Sequence, residues 1–120
     1  MRGRSNLHII RLSVAPMNQP FLSAVIIAFN ESHNIERCLL SLQAIADEIV
    51  VVDSGSTDDT VAKSEALGAR VLHHEFLGHI EQKNWAADQA HGRWLISLDA
   101  DESLSPELAA SLQVWKTKSP

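Results

Sequence analysis

The sequence predicts an α/β fold built on a doubly wound, mainly parallel sheet. Short runs rich in Val and Ile occur at residues 24–27, 49–52, 70–72 and 94–98. Continuous apolar character of this kind is typical of strands that are covered on both faces. Longer stretches with helical character separate the runs. Because strands that alternate with helices pair in parallel through right-handed crossovers, the pattern predicts a sheet with helices on both faces.

Two of the helices are predicted from apolar stripes. The first spans about residues 32–46, and its apolar side chains recur along one face. The fourth begins at Ser105-Pro106, a capping residue followed by proline at the first helical position. The stripe positions are Ile35, Cys38, Leu39, Leu42 and Ile45 in the first helix, and Leu108, Leu112 and Trp115 in the fourth.

The other two helices are predicted mainly from their ends. Ser56 or Thr57 can cap the second helix, and acidic residues follow at the positive end of its dipole. Gly68 can take the left-handed conformation that stops a helix. The third helix spans about residues 79–91, has a weaker stripe and ends at Gly92.

Composition excludes several classes of protein. The 120 residues are 45% hydrophobic and 21% charged, which is ordinary for one globular domain and unlike collagen-like or disordered chains. A single cysteine, Cys38, excludes an internal disulfide and a multi-cysteine zinc site. Residues 21–120 hold seven basic and 15 acidic side chains, a net charge of −8. An acidic body of this kind argues against nucleic-acid binding, which depends on Lys and Arg at phosphates.

Residues 1–20 are predicted to lie outside the fold. They show no sustained period and end in a turn-prone Asn-Gln-Pro sequence, while their net charge is +3. We therefore expect a flexible N-terminal extension over residues 1–20 and one folded unit over residues 21–120.

Polar side chains follow three of the predicted strands. Asn30 and Glu31 follow the first strand, Asp53 follows the second, and Asp99 and Asp101 follow the last. Ligands of open parallel sheets bind outside the carboxyl ends of the strands. The sequence therefore places four carboxylates where a ligand is expected.

The Asp-Ala-Asp-Glu sequence at residues 99–102 is a candidate cation site. Mg²⁺ and Mn²⁺ prefer oxygen ligands, and Mg²⁺ is usually held by one or two carboxylates together with substrate phosphates. The alternative interpretation is an acidic turn whose charges are solvated.

The loop from Asp53 to Thr60 is a candidate nucleotide contact. Gly55 permits a tight turn, and free backbone N–H groups at a helix start can meet an anion or a ribose hydroxyl. The alternative is a well-capped loop that binds no ligand. Likewise, either Asn30 or Ser32 can simply be the cap of the first helix. Lys83 on the third helix can face phosphate or base, although a lone lysine is by default a solvated charge.

Taken together, residues 23–31, 49–60, 82–84 and 94–102 resemble family 2 glycosyltransferases of the GT-A fold, most closely the branch that builds the lipopolysaccharide core. The motifs occur in the family's order, and the resemblance covers about residues 22–115. It implies the nucleotide-binding half of a GT-A fold, with Rossmann-like alternation of strands and helices. It also implies inverting transfer of a sugar from a nucleotide-diphosphate donor to an acceptor hydroxyl, with Mg²⁺ or Mn²⁺.

The resemblance also implies roles for particular residues. Glu31 and Asp53 would contact the nucleoside, Lys83 would face the nucleotide, Asp99 would touch ribose or metal, and Asp101 would ligate the metal. The implied nucleotide site as a whole comprises Phe29, Asn30, Glu31, Asp53, Lys83 and Asp99. The family often has Pro and Tyr where this chain has Ile27 and Phe29.

No residue is assigned as the catalytic base, because family members continue well past the Asp-x-Asp motif and this chain stops at Pro120. We expect a half-domain that is incomplete at its C-terminus, binds nucleotide at best weakly and transfers no sugar alone. A sheet edge left open there would favour self-association. The resemblance further implies a saccharide or lipid-linked acceptor and a cytoplasmic location, at the periphery of the inner membrane face.

Two other classes of function are compatible with the residues. One is a metal-dependent nucleotidyl or phosphoryl transferase, although the chain has no Gly-rich phosphate loop of the G-x-x-x-x-G-K type. The other is a noncatalytic interaction module.

Overall fold

The computed structural model describes residues 8–11 and 21–118. Its strands and helices, in chain order, are β1 (His8–Arg11), β2 (Leu22–Ala28), α1 (Ile35–Leu42), β3 (Glu48–Asp53), α2 (Thr60–Ala66), β4 (Arg70–His73), α3 (His79–Gln89), β5 (Trp94–Asp99) and α4 (Pro106–Lys118). Each predicted strand and helix is present, with ends shifted by a few residues.

The described strands form one sheet in the order β1-β5-β2-β3-β4. Strands β2, β3, β4 and β5 run parallel, and β1 pairs antiparallel with β5. The register aligns the strand ends, since Ala28 pairs with Asp53 and Ile27 pairs with Asp99. The predicted α/β fold with a mainly parallel sheet is confirmed, and the loops after β2, β3 and β5 emerge at one edge of the sheet, called here the carboxyl edge.

Helices cover both faces of the sheet. The larger core cluster joins α1 and α4 to one face through residues such as Leu39 and Leu112, while α3 covers the other face through Ala86. Alternation along β2 explains this, because Ile26 belongs to the first cluster and Val25 to the second. The apolar stripe predicted for the first helix is buried from Ile35 through Leu42 of α1 and on to Ile45 just beyond its end.

Two helix ends agree with the sequence signals, and a third differs. Gly68 has φ +90°, as expected of a helix stop. The Leu108 backbone N–H donates to the Ser105 Oγ at 3.0 Å, which confirms the cap of α4. The start of α2 differs, because the helix begins at Thr60 rather than just after Thr57. The polar side chains ahead of it are used in hydrogen bonds to a neighbouring loop.

The N-terminal segment is also different from the expectation. Residues 8–11 form β1 and pair with β5, so the prediction of a flexible extension over residues 1–20 does not hold for these four residues. Without β1, the N–H and C=O groups along the outer edge of β5 would be unpaired, and such groups can pair with another extended segment. Ile9 and Ile10 remain 37% and 48% exposed. A strand that buries so little of its apolar side chains has only a weak hydrophobic pattern by which it could be predicted. The remainder of the predicted extension lies outside the described residues.

Over residues 8–11 and 21–118, no helix is both long and apolar enough to cross a bilayer.

Candidate nucleotide and cation site

A cavity of about 530 Å³ opens at the carboxyl edge of the sheet. Four of the predicted site residues line it, namely Phe29, Glu31, Asp99 and Asp101. The other lining residues are Ile27, Ala28, Ser54, Phe76, His79 and Ala100. The structure therefore brings together carboxylates from the ends of β2 and β5, which are far apart in sequence.

The loop after β2 is held against the loop after β3 by side chains. Asn30 has φ +51°, a left-handed conformation that Asn tolerates better than most residues. Its backbone N–H donates to the Ser56 Oγ at 2.7 Å, and its Oδ1 accepts from the Thr57 N–H at 2.8 Å. The Glu31 N–H donates to the Thr60 Oγ1 at 2.8 Å. Asn30 thus joins the two loops and does not line the cavity, and its nucleotide contact stays a prediction.

Asp58 completes this connection between the loops. One carboxylate oxygen accepts from the Ser32 N–H at 3.2 Å, and the other accepts from the Thr60 N–H and hydroxyl. These bonds, that from the Thr60 hydroxyl foremost, lower the pKa of Asp58 to about 2. Asp58 is therefore ionised at neutral pH and serves the loop junction rather than the helix dipole alone.

Asp53 lies at the carboxyl edge but faces its own loop. It is 4% exposed, and it accepts hydrogen bonds from the Gly55 N–H at 3.0 Å, the Ser56 N–H at 2.8 Å and the Ser56 hydroxyl. Gly55 has φ +101°, which the tight turn requires. Asp53 is not among the residues that line the cavity, so its contact with a nucleoside also stays a prediction.

The acidic turn after β5 is closed by Glu102. The Asp99 backbone N–H donates to the Glu102 Oε1 at 2.9 Å, and the Glu102 N–H donates to the Asp99 carbonyl at 2.9 Å. Glu102 is only 6% exposed, whereas Asp99 and Asp101 reach the cavity. The Ala100 N–H donates to the Ile27 carbonyl at 3.2 Å and so fixes the turn to β2. The Asp99 and Asp101 carboxylates of this turn are thus available to a ligand in the cavity, whereas the Glu102 carboxylate stabilises the turn itself.

Lys83 reaches this turn from α3. Its Nζ lies 3.6 Å from the Asp99 Oδ1, with the two side chains 32% and 42% exposed. The lysine is therefore in contact with a cavity carboxylate, although it does not itself line the cavity.

The donor set suits a hard divalent cation that is shared with a ligand. Asp99 and Asp101 offer carboxylate oxygens beside one cavity, and oxygen is what Mg²⁺ and Mn²⁺ prefer. Among residues 8–11 and 21–118, no group of three His, Cys, Asp or Glu side chains is arranged to hold a metal. A protein usually contributes one or two carboxylates to a Mg²⁺ site that substrate phosphates complete, so Asp99 and Asp101 could hold such an ion.

Sequence reasoning gave no individual role to three residues that line the cavity and to one residue beside it. Phe76 and His79 line it from the segment between β4 and α3, with ring centroids 5.1 Å apart in an edge-on pair. Ser54 lines it from the end of β3. Gln82 lies behind Ser54 and is completely buried. Gln82 could have been noticed in the sequence, because it is a polar residue one turn before Ala86, on the side of α3 that faces the sheet.

Cys38 is not a nucleophile of this site. Burial, followed by the nearby carboxylates of Glu102 and Asp101, raises the pKa of the Cys38 thiol to about 12. A neutral, completely buried thiol on the apolar stripe of α1 is a core residue, as the sequence indicated.

The fold and this cavity define an α/β protein whose candidate ligand site lies at the carboxyl ends of parallel strands and is lined by carboxylates. Residues 23–115 match the family described as glycosyl transferase family 2. The match covers most of the chain, and the chain belongs to this family.

Individual relatives agree with this assignment. An uncharacterised glycosyltransferase of Rickettsia conorii is 46% identical over 92 residues, covering 77% of this chain and 33% of the relative. A lipopolysaccharide core biosynthesis glycosyltransferase, LpsC of Rhizobium meliloti, is 39% identical over 92 residues, covering 72% of this chain and 34% of LpsC. The chain thus spans about a third of the length of these curated relatives.

Solved structures agree as well. Glucosyl-3-phosphoglycerate synthase from Mycobacterium tuberculosis, in complex with Mn²⁺, UDP-glucose and phosphoglyceric acid, matches with a TM-score of 0.60 at 30% identity. The match covers 68% of this chain and 33% of the synthase. It confirms the GT-A fold expected from the sequence.

Proposed function

We propose that this chain is the donor-binding part of a glycosyltransferase that transfers a sugar from a nucleoside diphosphate to an acceptor hydroxyl with inversion. One observation carries the proposal: Glu31, Asp99 and Asp101 line a single cavity at the carboxyl edge of a parallel sheet. Membership in glycosyl transferase family 2 and the UDP-glucose and Mn²⁺ of the mycobacterial synthase support it.

The chain's own residues bind and orient the donor in this proposal. Glu31 contacts the nucleoside from the loop after β2, and Asp53, at the end of β3, is proposed to reach it from beside the loop that its carboxylate now holds. Lys83 approaches the phosphates, since its ammonium already lies beside Asp99. Glu102 holds the acidic turn in place through the Asp99 N–H. The loop junction between Asn30 and the residues after Asp53 keeps both nucleoside-facing loops in one position.

The cation site in this proposal consists of Asp101 with Asp99. Bound there, Mg²⁺ or Mn²⁺ supplies Lewis-acid neutralisation of the charge that develops on the diphosphate leaving group. Inverting transfer also needs a general base for the acceptor hydroxyl, and no residue of this chain is assigned that role.

The proposed acceptor class is supported by the relatives rather than by the cavity. LpsC is named for lipopolysaccharide core biosynthesis, which supports a saccharide or lipid-linked acceptor for the whole protein. The same relative supports the proposal that the whole protein acts in the cytoplasm, at the periphery of the inner membrane face.

Calorimetry with UDP and with ATP, each in the presence and absence of Mn²⁺, tests the proposal. Heat released by UDP that requires Mn²⁺, and that is lost in Asp101→Asn, is the expected result. A Glu107→Gln variant, which removes an exposed carboxylate on α4, is the matched control and should bind UDP normally. A preference for ATP would favour a nucleotidyl or phosphoryl transferase, and no nucleotide binding at all would favour an interaction module.

A further inference from the structure

Gln82 is a polar side chain in a position that usually holds an apolar one. It is 0% exposed and lies on α3, one turn before the core residue Ala86. A buried carboxamide is costly unless its donors and acceptor are satisfied. The residue therefore needs partners, and the structure supplies three.

The three partners belong to two other parts of the fold. The Gln82 Nε2 donates to the Ser54 Oγ at 3.0 Å and to the His74 carbonyl at 3.3 Å. The Gln82 Oε1 lies 2.8 Å from the His74 Nδ1. One side chain thus connects α3 to the ends of β3 and β4.

This pattern determines both the amide orientation and the histidine tautomer. Exchanging the amide oxygen and nitrogen would set the Gln82 oxygen against the His74 carbonyl, two acceptors with no hydrogen between them. With the amide as it stands, its oxygen can only accept, so the His74 Nδ1 carries the hydrogen. The imidazole is also stacked on Trp85, with ring centroids 4.1 Å apart and an angle of 20° between the planes.

The same pattern decides what Ser54 can do. Its hydroxyl oxygen accepts from Gln82, so its hydrogen is left as a donor, and Ser54 lines the cavity. Gln82 also precedes Lys83, whose ammonium reaches Asp99 from the same helix. The buried carboxamide therefore contacts one residue that lines the cavity, Ser54, and precedes one that contacts a cavity carboxylate, Lys83, while it does not line the cavity itself.

We propose that Gln82 is a positioning residue of the nucleotide site, which sets Ser54 as a hydrogen-bond donor to the ligand and holds α3 where Lys83 reaches Asp99. The inference rests on the proposed function, because the ligand is a nucleoside diphosphate.

The test uses Gln82→Met, which keeps the length and burial of the side chain but removes all three hydrogen bonds. Loss of ligand contacts worth one or two neutral hydrogen bonds should weaken UDP binding about tenfold at saturating Mn²⁺. The matched control is Gln89→Met on the same helix, where the side-chain amide donates to the Trp85 carbonyl one turn earlier. This control should bind UDP within about twofold of the wild type.

A double-mutant cycle separates positioning from general damage. If Gln82 acts through Ser54, then Gln82→Met should cost much less in a Ser54→Ala background than in the wild type. The inference would be overturned if the fold-losses of UDP affinity in the two single variants multiply in the double variant, or if Gln82→Met binds UDP like the wild type. Either result would leave the proposed function standing. A wild-type chain that binds no UDP would overturn both.

The histidine tautomer provides a check that needs no variant. Nitrogen-15 NMR of the wild-type imidazole should show His74 protonated at Nδ1 and bare at Nε2 at pH 8. The opposite tautomer would contradict the hydrogen-bond pattern on which the inference depends.

Discussion

Replacing Lys83 by methionine should change the affinities for cation and nucleotide in opposite directions. The Lys83 ammonium lies 3.6 Å from the Asp99 carboxylate, so it competes with any cation at that oxygen. When a diphosphate is present, the same ammonium becomes an attractive partner. Lys83→Met removes both effects and keeps the aliphatic length of the side chain.

The size of each change follows from the exposure of the pair. The Lys83 and Asp99 side chains are 32% and 42% exposed, so solvent screening limits such an ion pair to about 0.2–1 kcal/mol. Its removal should therefore strengthen Mn²⁺ binding in the absence of nucleotide by up to about fivefold. A hydrogen bond to a charged group contributes about 1.5–3 kcal/mol, and partial exposure favours the lower end. UDP binding at saturating Mn²⁺ should weaken about tenfold.

Free Mn²⁺ measured by electron paramagnetic resonance gives the first affinity, and calorimetry with UDP gives the second. Lys118→Met, which removes the same charge from an exposed position at the end of α4, should leave both affinities nearly unchanged. If Lys83→Met moves both affinities in the same direction, or moves neither, the proposed position of Lys83 between cation and phosphate is wrong.

Three further predictions concern stability and reactivity. Hydrogen bonds lower the folded pKa of Asp58 to about 2 and, against the opposing effect of burial, also lower that of Glu48. The two carboxylates therefore stabilise the fold fully above their unfolded pKa values, and this contribution declines as pH falls below about 4.5. Urea melts at a series of pH values should show this loss of stability. The loss should be smaller in Asp58→Asn. Gly92→Ala should destabilise the fold by about 1–3 kcal/mol, because a Cβ there would lie 2.8 Å from the backbone of β2. Gly68→Ala has no such contact and is opposed by the left-handed φ of +90°. It should therefore cost about 1 kcal/mol in the same urea melts. Cys38 should react with a thiol reagent only after denaturant unfolds the chain, and rapid labelling in buffer would contradict its burial.

Most of the sheet and its helices could be predicted because their signals are local. Val- and Ile-rich runs gave the parallel strands, and the apolar stripe from Ile35 to Ile45 gave α1. Strand β1 could not be predicted, since a short edge strand with exposed isoleucines depends on a partner that is remote in sequence. Only the folded structure brings that partner to it.

The sequence predicted which loops meet at the candidate site. It was a poorer guide to which side chains of those loops line the cavity. Glu31, Asp99 and Asp101 were expected at the carboxyl edge and do line one cavity. Asp53 and Asn30 direct their side chains to loop N–H groups instead. Such short polar side chains can bond either to a ligand or to a nearby backbone, and the choice depends on tertiary distances that the sequence does not contain.

The position of a bound cation tests the central claim most directly. With Mn²⁺ and UDP added to nitrogen-15 labelled protein, paramagnetic broadening should remove the amide signals around Glu31, Ser54 and residues 99–101. Asp47 and Glu48, two carboxylates at the other end of β3, provide an internal control and should stay sharp. Broadening centred on that acidic pair, or spread evenly over the chain, would contradict a nucleotide and cation site at the carboxyl edge.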